Sequence, residues 1–514
     1  MPLTLSIPPI DPHPANPPEI RPAHVGPWLD AAMTRSATEA ARIMSDALAA
    51  TNTVSIGDTR RLELNEKYWA RAEVLWPRLE SHFASSPQPL SGDALEAAKA
   101  ALSLAHELSV AYKRPLDREA NKRVSFGGNR LLTSLIHRSM QCTWRLLVNS
   151  YLAYAPIMPR TWLDTHRIYA FSRERGLHQR AITGGDPDAT PERMYLQALL
   201  LALANPYGFL QGQLDTVISY VQEYSHWVKL TDVAPVHRMA KAVAIIPVGH
   251  DFPPFSASKG GAIEGSKIFL LAFDLAFQIQ EQVRKLEAGG EFPPGVGRDA
   301  TSRRRYLTLL KRLLRQWAIP PARQFNRLPS RARVVMCSEL AGVWEYSRGR
   351  HGGVAALSSE RQPLMHGQVI NHTPAGYALR QTDPNPAPLR IGELIALRVE
   401  GRSGPQVAMV RWFRNMLRGG GLEFGCEILS DNPEAAAAAP ESGPTGKPVP
   451  VVVLPATPAK TNGDAMPQLI VAAGSFAVDQ GVSLTRGKET GFAVLTKLVE
   501  QGPGFDLYEF VAVN

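Results

Sequence analysis

The sequence predicts a multidomain α+β protein: an N-terminal all-α bundle or array, a small α/β connector, and a C-terminal antiparallel β-barrel with an extra β module. Three observations carry this. Apolar residues recur at helical spacing from Pro27 to about residue 230, and the period switches to two from Ala332 onward. The chain has 514 residues and 44% hydrophobic content, too long for one ordinary domain and apolar enough to fill several cores.

Residues 1–28 hold Pro8, Pro9, Pro12, Pro14, Pro17, Pro18, Pro22 and Pro27. That density excludes a helix or central strand and reads as a disordered or extended tail. Residues 29–230 then form the helical domain, with helices expected near 28–51, 58–84, 91–113, 127–153, 160–175, 190–204 and 207–228. Thr190-Pro191-Glu192 marks one start, since Thr caps, Pro pre-sets φ and Glu faces the positive end of the helix. No period of about 34 residues is visible, so a plain bundle is preferred to a repeat array. The many aromatics here, among them Trp69, Trp76, Trp162 and Tyr169, are expected in the core or at an interface.

Residues 231–320 change character. Ala242–Val248 reads as a strand, 251–261 as a loop and 264–286 as an amphipathic helix. Tyr306, Leu309, Leu310, Leu313 and Trp317 then lay one apolar stripe along a basic helix that must stop before Pro320-Pro321. Residues 321–431 alternate as a half-buried sheet requires, with strand-like runs at 332–337, around 368–379, and at 391–399, 407–412 and 422–428. The Ala/Pro/Gly-rich stretch 432–447 reads as a linker. Residues 448–514 carry five more strand signals and form a second β module.

Chemistry concentrates where the two regimes meet. Between Thr301 and Val335 stand nine Arg and one Lys with no acidic residue, a run that self-repels unless an anion or acidic surface lies near. A planar guanidinium can grip phosphate oxygens or the O6/N7 edge of guanine, and can also stack on the base. Downstream, Asn371-His-Thr-Pro-Ala-Gly376 taken alone reads as a connection between two strands.

Together, Arg323-Gln-Phe-Asn-Arg327, the strand Ala332–Cys337 and Asn371–Gly376 with three following strand-like runs resemble, in that order, the bacterial PilZ domain. That family is a small β-barrel whose RxxxR arm and (D/N)xSxxG turn together hold the second messenger cyclic di-GMP. The resemblance covers about a fifth of the chain. It implies a PilZ-like antiparallel β-barrel with ligand-binding residues Arg323, Arg327, Arg331, Asn371, Thr373 and Gly376. Arg327-Leu-Pro-Ser-Arg331 also satisfies RxxxR, so the operative pair is either Arg323/Arg327 or Arg327/Arg331. On this resemblance Asn371 accepts from guanine, the Thr373 hydroxyl bonds a phosphate oxygen and Gly376 allows close backbone approach. Asn371 stands where Asp is commoner, losing a charge-assisted bond, and Thr373 stands where Ser is commoner.

Other chemistry is weak. Gly260–Lys267 lacks the Gly-Lys-Ser/Thr order of a phosphate loop, and Ser256-Ala-Ser-Lys259 lacks the partner motifs of an acylated serine. Histidines show no metal spacing, and three distant cysteines exclude a disulfide framework. No catalytic set, metal or cofactor is expected. A net charge of +9 favours an anionic partner. No apolar run of about 18 residues predicts membrane insertion, so a cytoplasmic protein is expected.

The resulting expectation is a non-catalytic cyclic di-GMP sensor that passes its state to an unidentified protein partner through the helical domain. The alternative is an adaptor whose barrel has lost the ligand. Nucleic acid bound by the basic run is a weaker third reading. Nothing in the sequence fixes the oligomeric state.

Overall fold

The helical periodicity is realised as α1 (Pro22–Met33), α2 (Ala37–Asn52), α3 (Asp58–Phe83), α4 (Gly92–Ala120), α5 (Gly128–Leu152), α6 (Thr161–Glu174), α7 (Pro191–Leu203) and α8 (Gln213–Tyr224). The computed structural model describes residues 2–513 except 123–127, 183–187, 236–240, 260–263, 320–324, 349–363, 384–386, 418–420, 442–446 and 457–465. The chain divides into two compact units, residues 1–86 with 90–323, and residues 87–89 with 324–514.

In the first unit α4 is the central element, packed against α2, α3 and α5. Its composition explains this. Ala97, Ala98, Ala101 and Ala105 let neighbouring helices approach closely, while Leu104, Leu108 and Tyr112 fill the gaps between them, all buried. The helix expected over 28–51 is two helices. Ser36 accepts from the Glu39 backbone N–H at 3.3 Å and starts α2, a Ser-x-x-Glu cap that ends the preceding run. The cap expected at Thr190 is present, accepting from Arg193 N–H at 3.2 Å.

The proline-rich terminus departs from expectation. Residues 3–8 are not a loose tail: Leu3 and Leu5 are buried, and their backbone groups are bonded to Asn121, just past the end of α4, and to Asp117 within it. Enough apolar surface and enough partners are available to offset the ordering entropy.

The connector belongs to this same unit. Strands β1 (Lys229–Thr231), β2 (Val243–Pro247), β3 (Phe255–Ser256) and β4 (Lys267–Leu271) form one sheet in the order β1-β4-β2-β3. The helix expected from residue 264 begins later, as α9 (Phe273–Glu287), because Lys267–Leu271 pairs with β2 along its whole length. The basic helix α10 (Ala300–Ala318) buries Leu309, Leu310, Leu313 and Trp317 as its periodicity required. Trp317 Nε1–H donates to Leu200 O at 3.0 Å, tying α10 to α7.

The second unit holds two closed barrels. The first is built from β5 (Leu328–Pro329), β6 (Arg333–Ser338), β7 (Met365–Thr373), β8 (Gly376–Gln381), β9 (Leu394–Val399), β10 (Gln406–Asn415) and β11 (Leu422–Ser430), with α11 (Glu339–Arg348) inserted after β6. Strand order is β5-β7-β6-β9-β10-β11-β8, and β8 also pairs with β7, closing six strands with β5 attached outside the ring. The second barrel is β12 (Glu434–Pro440), β13 (Val449–Leu454), β14 (Gln468–Ala472), β17 (Phe505–Val513), β16 (Glu489–Gly502) and β15 (Gly481–Arg486), in that spatial order.

Residues 434–440, expected in a linker, are therefore a barrel strand paired on both sides. Ala436 and Ala438 point inward and are buried, while Ala435, Ala437 and Ala439 are half-buried, so the small side chains serve the curvature of a narrow barrel. The two barrels share apolar packing: Val343 and Tyr346 of α11 sit in one cluster with Leu394, Val407 and Met409 of the first and Val452, Leu454 and Phe505 of the second. Trp344 Nε1–H adds a hydrogen bond to Ala436 O at 2.7 Å.

One buried carboxyl in this unit sets a pH dependence. Burial raises Glu393 from 4.5 to about 7, reinforced by the nearby Glu339 carboxylate and opposed by the Arg390 N–H that donates to it at 2.7 Å. A carboxyl raised on folding contributes its stability fully below 4.5, and loses it as pH rises through 7. Glu393→Gln is expected to flatten the melting temperature between pH 5 and 8 and to stabilise the unit at pH 8 by about 3 kcal/mol at most. Thermal melts across that range, on wild type and variant, check both points.

Candidate functional site: the arginine arm and the hairpin of the first barrel

The arm between α10 and β6 runs antiparallel to β7. Leu328 pairs with His372 and Pro329 with Asn371, and Ser330 N–H donates to Ile370 O at 3.1 Å. Further on, Val369 N–H donates to Ala332 O at 2.9 Å, and Gln368 Nε2 to Arg331 O at 3.2 Å. Five residues are thus zippered along one strand. Pro329 is tolerated because β5 is an edge, where a missing donor is harmless.

This register brings the cationic lead-in and the glycine-ended turn to one rim of the barrel. Arg327 stands one residue before the Leu328–His372 pair, level with Thr373. Strand periodicity puts Arg327, Pro329 and Arg331 on one side of the arm. Arg327 and Arg331 are both exposed, and among the described residues no carboxylate pairs with Arg331. Arg323, the first arginine of the motif, lies outside the described residues.

An open cleft of about 490 Å³ lies beside the arm, lined by Pro329, Ser330, Arg331, Gln368, Val369, Ile370 and Arg380. Of the residues singled out in the sequence, only Arg331 lines it. Asn371 is one step further along β7, half-buried, at a bulge where Val369 faces Leu379 but Asn371 faces Ala378. Such a bulge re-aims the side chains that follow it.

Thr373 and Gly376 face each other across the β7–β8 turn. The Thr373 hydroxyl accepts from Ala375 N–H at 3.2 Å and reaches Gly376 O at 3.4 Å, so it holds the turn itself. Gly376 has a local reason too. A Cβ there would stand 2.1 Å from Cys426 O of β11, so this position must be glycine for the barrel to close, whatever approaches from outside.

Two residues of the cleft escaped the sequence reading. Gln368 and Arg380 face each other across β7 and β8. Arg380 is held by Glu423 on β11 at 2.6 Å, an ion pair whose guanidinium remains half-exposed. The signal was faint: Arg380 is an outward position of an alternating strand, and only the register shows that it looks toward the arm. With Arg331 and Arg380 the cleft offers two guanidinium groups against one carboxylate, an arrangement suited to a doubly anionic, planar ligand.

Among the described residues there is no group of His, Cys, Asp and Glu able to hold a metal ion. No described helix is long and apolar enough to cross a membrane. All three cysteines are buried and unbridged.

Comparison with known proteins agrees with this architecture, part by part. Residues 23–235 match the family model of the N-terminal domain of the cyclic-di-GMP receptor FimW. Residues 345–435 match its middle PilZ domain, and 435–513 its C-terminal β-barrel domain. The PilZ match contains the Asn371–Gly376 turn, Gln368 and Arg380, and begins after the arginine arm. Across 476 aligned residues the chain is 22% identical to the cyclic-di-GMP receptor FimW of Pseudomonas aeruginosa, covering 78% of this chain and 76% of that one. With its helical domain, middle barrel and terminal barrel matched in order, the chain belongs to the PilZ-domain proteins that carry a helical N-terminal domain.

Proposed function

We propose that the chain is a non-catalytic receptor for cyclic di-GMP, binding it between the arginine arm and the Asn371–Gly376 hairpin and passing the bound state to a protein partner through the helical domain. The observation that carries this is the pairing of Leu328–Pro329 with Asn371–His372, beside a cleft that offers Arg331 and Arg380. Arg327 and Arg331 grip phosphate or the guanine edge, and Arg323 extends the same arm in sequence. Arg380 and the Gln368 amide face the second half of the ligand, and the Asn371 amide supplies an acceptor for guanine N–H. Thr373 and Gly376 act by fixing the hairpin that presents Asn371.

The similarity to a protein described as a cyclic-di-GMP receptor supports the ligand class. Signalling requires that the ligand bind one arrangement of the arm more tightly than another, since equal affinity shifts nothing. Calorimetric titration of the full chain with cyclic di-GMP tests the reading, with cyclic di-AMP as the control that keeps the phosphates and changes the bases. Saturable heat with the guanine compound alone is the expected result. No heat with either leaves an adaptor whose barrel has lost the ligand.

A further inference from the structure

The terminal segment is held in an unusual way. Leu3 N–H donates to Asn121 Oδ1 at 3.0 Å and Asn121 Nδ2 returns a bond to Leu3 O at 2.7 Å, so one carboxamide imitates the edge of a neighbouring strand. Arg167 donates to Thr4 O at 2.8 Å, and Leu5 N–H to Asp117 Oδ1 at 3.0 Å. Ser6 gives both its N–H and its hydroxyl to Asp164, at 3.1 and 3.0 Å. Arg160 reaches the same hydroxyl, and Arg114 reaches Pro8 O.

Three features follow. The segment is extended, since Leu3 and Leu5 are buried while Pro2 and Thr4 are exposed. Its backbone is satisfied by side chains on α4 and α6, on the residue following α4 and on the residue preceding α6, because helices have no free strand edge to offer. Main-chain groups, common to every sequence, receive most of these bonds. Only two apolar side chains and one hydroxyl are read. The receiving side also has support of its own: Asp164, buried, is held by Lys113 Nζ at 2.9 Å, bridging α6 to α4. The six residues that hold the segment all lie within the stretch matched to the helical-domain model, whereas the segment precedes it.

We infer that the groove between α4 and α6 is a receptor for an extended peptide of another protein, with apolar residues at alternate positions followed by a hydroxyl, and that residues 3–8 are its resident competitor. The mostly exposed, proline-rich stretch that follows, with Asp11 N–H donating to Thr53 O at 2.7 Å, tethers the segment to the domain. A tethered competitor acts at an effective concentration in the millimolar range, so an incoming peptide gains strongly once the segment is displaced.

The test uses the full chain and a fluorescent peptide of residues 2–10. Leu3→Asp/Leu5→Asp releases the segment, with circular dichroism verifying that the helices persist. The released chain is expected to bind the peptide saturably, at least about ten-fold more tightly than wild type does. Binding should vanish when the peptide carries aspartate in place of both leucines, or when Asn121→Ala/Asp164→Ala is added. If the released chain misfolds, a protease site placed within residues 12–17 of the otherwise wild-type chain replaces it. After cleavage, the labelled peptide should exchange into the groove. A folded, released chain that ignores the peptide overturns the proposal, as does a cleaved segment that never exchanges. A wild-type dimer abolished by Leu3→Asp/Leu5→Asp would also overturn it, by making the occupant a second copy.

Discussion

Arg327→Ala is expected to weaken cyclic di-GMP binding by about 10- to 100-fold, the loss of one or two charge-assisted hydrogen bonds of about 1.5–3 kcal/mol in all. Arg327 belongs to both RxxxR readings, Arg323/Arg327 and Arg327/Arg331, so it is the arginine whose loss neither reading survives. It is exposed, and its removal should leave the melting temperature of the second unit within about 1 °C of wild type. Arg327→Lys should recover only part of the affinity, because an ammonium has no planar fork and cannot stack on a base. Arg331→Ala, tested beside Arg323→Ala, identifies the second member of the pair. Since Arg331 lines the cleft, its variant is expected to lose at least ten-fold. Calorimetry on the three alanine variants, with melts as controls, reads all of this. Unchanged affinity in Arg327→Ala would remove the arm from the site.

Gly376→Ala is expected to destabilise the second unit by about 3 kcal/mol or more, and to lower its melting temperature by roughly 6–12 °C. The cause is a clash with backbone: the added Cβ meets Cys426 O at 2.1 Å, and neither β8 nor β11 can give way without breaking the Glu427–Gly376 and Cys426–Tyr377 pairs. Any accompanying loss of ligand binding follows from the distorted hairpin rather than from a lost ligand contact. Melts without ligand separate the two effects. A variant as stable as wild type that no longer binds would return Gly376 to the role of admitting the ligand backbone.

Much of this architecture was legible in the residues. The switch from helical to alternating periodicity placed the helical region and the barrel strands, and Thr190-Pro191 and the stripe from Tyr306 to Trp317 marked their helices. The arm and turn were singled out through their resemblance to the PilZ motif, since Asn371–Gly376 taken alone reads as an ordinary connection between two strands. What escaped is instructive. A proline-rich terminus reads as disordered because its partners, Asn121, Asp117 and Asp164, are more than a hundred residues away in sequence. A run of five alanines shows no alternation of character, so Ala435–Ala439 hides a strand whose need is for small side chains on a tight curve. Gln368 and Arg380 became neighbours only through register, which a one-residue bulge at Ile370 shifts.

Those register facts also explain the long interval between the two halves of the motif. After β6 the chain leaves the first barrel to form α11, whose Val343, Tyr346 and Trp344 reach both barrels, before returning as β7. Helix α11 therefore joins the two barrels.

Hydrogen–deuterium exchange on the full chain, with and without saturating cyclic di-GMP, bears most directly on the shared rim. Protection confined to residues 325–333 and 366–381, with the second barrel unchanged, is the result this geometry predicts. Protection along the basic face of α10 instead, with the arm and hairpin exchanging as before, would contradict it.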